Sequence, residues 1–289
     1  MSYMAQIVLS IGVSLFVGLY SYQSSLIYPA SLNDGHGYCA TPDEYGMPGY
    51  ELVNLKTEDG ENLQCYSLKQ NKESPTYSNK TIVVLSPNAG NIGHALPIVS
   101  MFYSNFGYNV FIYSYRGYGK STGKPSEKGL KLDAQRIMQY LTIEDEQYQQ
   151  SSIVLYGRSL GGAVGIYIAS TMAPHIKGII LENTFLSIRK TVPHIFPMLR
   201  YLAVLIHQVW DSEKLVSTIP SNIPLLMLSA RKDEIVPPEH MDRIFSLSKS
   251  DDKIMYKFEN SSHNDTVIQS GYWEKIHDFV DNKVNTVSH

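Results

Sequence analysis

Ser159 lies between Gly157 and Gly161 in the stretch IVLYGRSLGGA (153–163), where a β-branched apolar run gives way to glycine and alanine. The pattern Gly157-Arg158-Ser159-Leu160-Gly161 fits a nucleophile elbow, in which a serine is held on a sharp turn between a strand and a helix. Glycines two positions to either side are needed because the serine backbone is strained and side chains there would collide across the turn. The helix that follows places its first amides and the positive end of its dipole beside the reacting oxygen. The bland alternative is a structural Gly-Ser turn; a phosphate-binding loop is excluded, because neither of its glycine spacings is present. A serine hydroxyl is a weak nucleophile at neutral pH, so an elbow requires a base and an acid to orient that base. Both follow in the required chain order. Asp233 lies just beyond the apolar run PLLMLSA (224–230), and His263 lies beyond KIMYKF (253–258). His263 would take the Ser159 proton, and Asp233 would fix the imidazole tautomer. Glu234 and Asp265 are rival acids, less well placed relative to a strand end.

An acyl-transfer oxyanion also needs two amide donors. One is the amide of Leu160, directly after the nucleophile. The other belongs in the loop that follows the third strand, within TIVVLSPNAGNIGHALP (81–97). Pro87 has no N–H, which makes Asn88 the natural second donor.

These residues need a scaffold that brings strand ends together, and the rest of the chain supplies the pattern for one. ELVNLKT (51–57) and NLQCYSL (62–68) read as a hairpin around Asp59-Gly60. Buried-strand patterns then recur at 81–86, 109–115, 152–157, 178–183, 224–230 and 253–258, separated by helical periodicity at 129–141, after Ser159 and at 272–284. That alternation predicts an α/β fold with a mostly parallel sheet and helices on both faces. About forty residues separate the strands near Asn183 and Pro224, too many for a simple crossover. Within them MLRYLAVLIHQVW (198–210) has the periodicity of a helix with an apolar face, which reads as a helix packed on the core, as a small cap around 185–220 over an acyl-binding pocket, or as a helix touching the bilayer.

The N-terminus has its own character. No charged side chain precedes Asp34, and no Lys or Arg precedes Lys56. Residues 4–22 have about the length of a bilayer span, though Ser10, Gly12, Ser14 and Gly18 dilute them. A cleaved signal would need a basic start and a small-x-small cut site, neither of which is evident. An uncleaved anchor over 1–27, followed by one catalytic domain over 28–289, is the expected organisation; a buried core helix is the remaining alternative. With a net charge of −3 and scattered Lys and Arg, nothing favours a nucleic-acid partner. Two cysteines, Cys39 and Cys65, are too few for a disulfide framework or a thiolate metal site, and no cofactor is expected. Glycosylation sequons at Asn260 and Asn264 flank His263, where a glycan would obstruct chemistry; this favours a cytosolic face.

Taken together, PNAGNIGH (87–94), YSYRGYGKSTGKPSEKGLKLDA (113–134), YGRSLGGA (156–163), LENTFLSI (181–188), KDEIVPP (232–238) and SHNDT (262–266) resemble an α/β-hydrolase. More narrowly, the chain is similar to the fungal bud-emergence hydrolases and the alpha/beta hydrolase domain-containing 13 group, over nearly its whole length. The resemblance implies Ser159 as nucleophile, Asp233 as acid, His263 as base, and Asn88 with Leu160 as oxyanion donors. It also implies a loop at Tyr115, Arg116 and Gly117 over the site, with Arg116 bracing that loop. Many relatives have His-Gly where this chain has Ser86-Pro87, a difference expected to shift the oxyanion loop. The activity implied is hydrolysis of acyl esters or thioesters at a membrane, above all palmitoyl groups on proteins. A lipid esterase or lysophospholipase, and a non-catalytic scaffold, are the alternatives.

Overall fold

The computed structural model describes residues 3–74 and 77–284; the first two residues of the expected anchor and the last five of the expected domain lie outside the described residues. Eight strands form one sheet: β1 (Tyr50–Lys56), β2 (Asn62–Leu68), β3 (Lys80–Leu85), β4 (Asn109–Tyr113), β5 (Ser152–Arg158), β6 (Ile176–Glu182), β7 (Leu225–Ala230) and β8 (Lys253–Phe258). Their order is β1-β2-β4-β3-β5-β6-β7-β8. The opening hairpin joins β4 antiparallel, and every pairing from β4 through β8 is parallel.

Alternate residues of the inner strands feed two apolar layers, as the two-residue period of a strand requires. Val83, Leu155, Leu181 and Met227 pack with α4 (Glu127–Gln139), α6 (Leu160–Thr171) and α9 (Pro238–Leu247). Ile82, Val154, Ile180 and Leu226 pack with α3 (Leu96–Ser100) and α10 (Tyr272–Lys283). Each such Leu or Ile contributes roughly 1.5–3 kcal/mol by leaving water. Coverage of both faces is the reason these strands read as continuous apolar runs rather than alternating ones. A short helix, Glu146–Gln149 (α5), leads into β5, capped by Asp145. The carboxyl ends of the parallel strands therefore share one edge, where α/β sheets bind ligands.

One expectation needs correction, and a second is not shown. The segment 198–210 is not one helix. After α7 (Ile188–Ile195) the chain makes 3₁₀ turns at Pro197–Leu199 and Ala203–Leu205, and then α8 (Ser212–Val216). Side chains from elsewhere take the backbone groups that a helix would pair internally. Arg189 Nε donates to the Ile206 carbonyl at 2.8 Å, Gln23 Nε2 donates to that of Leu205 at 2.8 Å, and His207 N donates to Gln23 Oε1 at 2.9 Å. Trp210, at φ 46°, then turns inward and is buried, its indole N–H donating to Tyr28 Oη at 2.8 Å.

The second concerns the N-terminus. A helix forms over Tyr3–Ser21 (α1) and a short one over Gln23–Ile27 (α2), but no helix among the described residues is long and apolar enough to cross a membrane. Nineteen residues at ~1.5 Å each are near the minimum for a span. The serines and glycines in the sequence lower its apolarity further.

Candidate active site

Ser159 caps α6 at φ 53°, ψ −116°. A non-glycine residue held there carries strain of about 1–3 kcal/mol, and such strain collects at functional sites. The surroundings enforce it. Ser159 N donates to the Glu182 carbonyl at 2.9 Å, and Thr184 Oγ1 donates to the Ser159 carbonyl at 2.8 Å. A Cβ on Gly157 would fall 2.3 Å from the Gly161 carbonyl oxygen, so the chain can double back only with glycine there.

Beyond β7 and β8, Asp233 and His263 meet: His263 Nδ1 lies 2.7 Å from Asp233 Oδ2. The other oxygen, Asp233 Oδ1, accepts from the amides of Ile235 and Val236 at 2.9 and 2.7 Å, which fixes the carboxylate. The rival acids do different work. Glu234 Oε2 accepts from the backbone N–H of His263, and Asp265 Oδ1 accepts from Ser262 N and Ser261 Oγ. All three of Ser159, Asp233 and His263 are buried. The Ser159 hydroxyl makes no hydrogen bond to His263. Such bonds are often long without substrate and tighten in the complex.

What holds the elbow against the histidine loop is a set of residues that the motifs did not reveal. Arg158 donates to Asn264 Oδ1 at 2.5 Å and to the His263 carbonyl at 3.4 Å, while its Nε faces Glu182 at 3.6 Å. Glu182 is fully buried and accepts from the hydroxyls of Tyr156 and Tyr272 at 2.8 and 2.5 Å. Burial pushes both phenols well above their ordinary value, so they stay neutral donors.

Asn183, at φ 46°, ties three loops together. Its amide donates to the His263 carbonyl at 3.1 Å and to Thr266 Oγ1 at 2.8 Å, and its carbonyl accepts from Ala230 N at 2.8 Å. From sequence it was one more polar residue at a strand end; only its place beside β7 and the histidine loop distinguishes it. Asn183→Asp would leave a carboxylate facing the His263 carbonyl and cost about 1–3 kcal/mol. We expect its kcat to fall while KM changes little, and the pH profile of kcat to shift. A pH profile identical to wild type would reduce Asn183 to a packing residue.

The loop after β3 is tied down at each step. Tyr115 Oη donates to the Ser86 carbonyl at 2.9 Å, and Tyr118 Oη to that of Asn88 at 3.1 Å. Asn88 Nδ2 donates to the Ile27 carbonyl at 3.2 Å, and Gly90 N to that of Leu32 at 3.3 Å. No acceptor among the described residues takes the backbone N–H of Asn88 or Leu160. Arg116, in the same loop as the tyrosines, donates to Asp133 Oδ1 at 2.8 Å and to both oxygens of Asp59 at 2.6 and 2.9 Å. Burial pushes the Asp133 carboxyl up to about 6, against the opposing pull of Arg116.

The family model described as "Serine aminopeptidase, S33" matches residues 80–222. Protein bem46 of Schizosaccharomyces pombe is 43% identical over 274 residues, covering 93% of this chain and 89% of that one. The alpha/beta hydrolase domain-containing protein WAV2 of Arabidopsis thaliana is 32% identical over 280 residues, covering 91% and 88%. The chain belongs to the α/β-hydrolase family.

This α/β-hydrolase is also similar to an uncharacterized membrane protein of Saccharomyces cerevisiae, 48% identical over 262 residues, or 91% of this chain and 90% of that one. Among solved structures, the Pyrococcus furiosus esterase Pf2001 superposes with a TM-score of 0.69 at 19% identity, over 85% of this chain and 96% of its own. That likeness shows the fold alone. A cavity of about 130 Å³ opens beside the elbow of the hydrolase, lined by Ser86, Pro87, Ala89, Ile98, Tyr115 and Arg158 among others. It is well under the roughly 300–1,000 Å³ of a site that encloses a drug-sized ligand.

Proposed function

We propose that this α/β-hydrolase is a membrane-held serine hydrolase that removes long-chain acyl groups, in particular palmitoyl groups from protein thioesters. The observation that carries the reading is the strained Ser159 elbow at the same sheet edge as the Asp233–His263 pair at 2.7 Å. In this mechanism Ser159 Oγ attacks the acyl carbon as His263 Nε2 takes its proton. Asp233 stabilises the imidazolium, and the amides of Asn88 and Leu160 receive the oxyanion. The proton passes to the departing thiolate, and water activated by His263 then releases the fatty acid.

The cavity beside the elbow is small, so a long chain must extend beyond it, toward the insertion or the lipid. Membrane attachment is supported by α1, whose sequence carries no Asp, Glu, Lys or Arg, and by the similarity to a yeast relative described as a membrane protein. A cytosolic face is supported by Asn264, whose side chain is engaged by Arg158 beside the histidine loop, where a glycan would intrude.

A lysophospholipase would use the same residues, and the substrate decides between the two. Purified full-length hydrolase is offered a palmitoylated cysteine peptide and a palmitoyl lysolipid. Faster release of palmitate from the peptide is the expected result, and faster lysolipid cleavage would replace the reading. Failure of the folded wild type to react with a fluorophosphonate probe at Ser159 would instead favour the scaffold reading.

A further inference from the structure

We propose that the outer surface of the insertion, from Ile195 to Val204, docks onto the anionic face of a lipid bilayer. This deepens the membrane-held reading and rests on it. Phe196, Met198, Tyr201 and Val204 are 56%, 92%, 74% and 72% exposed, while the returning arm of the same segment is buried through Ile206 and Trp210. A lone exposed apolar side chain is ordinary, but a contiguous group marks an interaction surface.

Charge identifies the occupant. Residues 188–210 contain Arg189, Lys190 and Arg200 and no Asp or Glu. Lys190 is paired with Glu213 and Arg189 Nε holds the Ile206 carbonyl, which leaves Arg200 as the cation that meets headgroups. The Arg200 guanidinium lies over the Tyr201 ring, 4.5 Å from its centroid. An amphipathic aromatic beside a snorkelling cation suits the interfacial region, where apolar side chains enter by roughly 5–10 Å.

Continuity with α1 points the same way. Gln23, two residues beyond α1, holds both the Leu205 carbonyl and the His207 amide, and the Tyr20 ring sits 4.8 Å from that of His207. The surface is therefore seated against the end of the helix that would meet the membrane.

The test uses the full chain in vesicles of phosphatidylcholine with phosphatidylserine, and a polarity-sensitive fluorophore on Met198→Cys in a Cys39→Ser background, Cys65 being buried. Glu73→Cys, in the loop at the opposite end of the sheet, serves as the control. On vesicle binding, emission at position 198 is expected to shift to the blue and to be quenched by lipid spin-labelled near the headgroup, while position 73 does not change. Salt should weaken the position-198 signal. Protein that floats with the vesicles but leaves position 198 water-exposed would overturn the docking surface and leave the membrane-held reading standing. Protein that does not float would remove both. A blue shift that grows with protein concentration in the absence of vesicles would assign the surface to a second copy of the chain, and would overturn the proposal. Joint replacement of Phe196, Met198, Tyr201 and Val204 by serine should slow turnover of a vesicle-embedded acyl substrate without altering that of a short soluble ester. Equal loss on both substrates would count against it.

Discussion

Turnover of an acyl substrate is expected to fall about 10⁶-fold in Ser159→Ala, because nucleophile and base act as a unit and the loss of either removes the covalent route. His263→Ala should cost a similar factor. Asp233→Asn should cost about 10⁴-fold, since the imidazole would keep its position but in the wrong tautomer. The fold should survive the first change. The Ser159 hydroxyl makes no hydrogen bond among the described residues, and the elbow is held through the backbone, by Glu182 and Thr184. Steady-state rates on a palmitoyl thioester, with urea unfolding as the control, check both halves. An alanine variant that kept more than a trace of turnover would show that Ser159 is not the nucleophile.

The second large effect belongs to Gly161→Ala. A Cβ at this position would lie 2.0 Å from the Leu85 carbonyl oxygen, 2.6 Å from its carbon and 2.9 Å from the Ser86 oxygen. These are backbone atoms at the end of β3, which is paired on both sides by β4 and β5 and cannot yield without disturbing the middle of the sheet. The first turn of α6 would have to lift instead, carrying the Leu160 amide away from the oxyanion. We expect a loss of about 3 kcal/mol in stability, at the upper end of ordinary overpacking, together with a fall in kcat. Gly165→Ala is the matched control. Its Cβ would meet the Leu85 Cδ1 at 3.3 Å and the Leu181 Cδ2 at 3.9 Å, both ends of flexible side chains, and the added helix propensity offsets those contacts. Equal unfolding midpoints for the two variants would contradict the geometric argument.

The strands were legible because parallel strands buried on both faces leave long β-branched runs such as IVLY at 153–156, bounded by polar or glycine residues. The order of serine, acid and histidine was legible because each follows a strand, and every strand ends at the same sheet edge. Asp233 could be ranked above Glu234 and Asp265 by its place after β7; it is the one of the three whose carboxylate touches the imidazole.

Other features were hidden for physical reasons. Residues 198–210 carry helical spacing of apolar side chains, yet Gln23 and Arg189, both remote in sequence from the carbonyls they hold, satisfy their backbone and hold them in 3₁₀ turns. Asn183 was unreadable because its work depends on the register of β6 against β7. Ser86-Pro87 marks the loop after β3 as a place where the chain departs from its relatives. The hydroxyls of Tyr115 and Tyr118, which anchor that loop from outside, have no local sequence signature.

The attachment of the loop after β3 to Ile27 and Leu32 bears on how the enzyme can be handled. Tyr28, between them, supports Trp210 through its hydroxyl. A chain shortened to begin at β1, the obvious route to a soluble preparation, would lose the acceptor for Asn88 and the partner of Trp210 at one stroke. Such a fragment is a different catalyst from the full chain, and weak activity in it would report the missing strut rather than a poor choice of substrate.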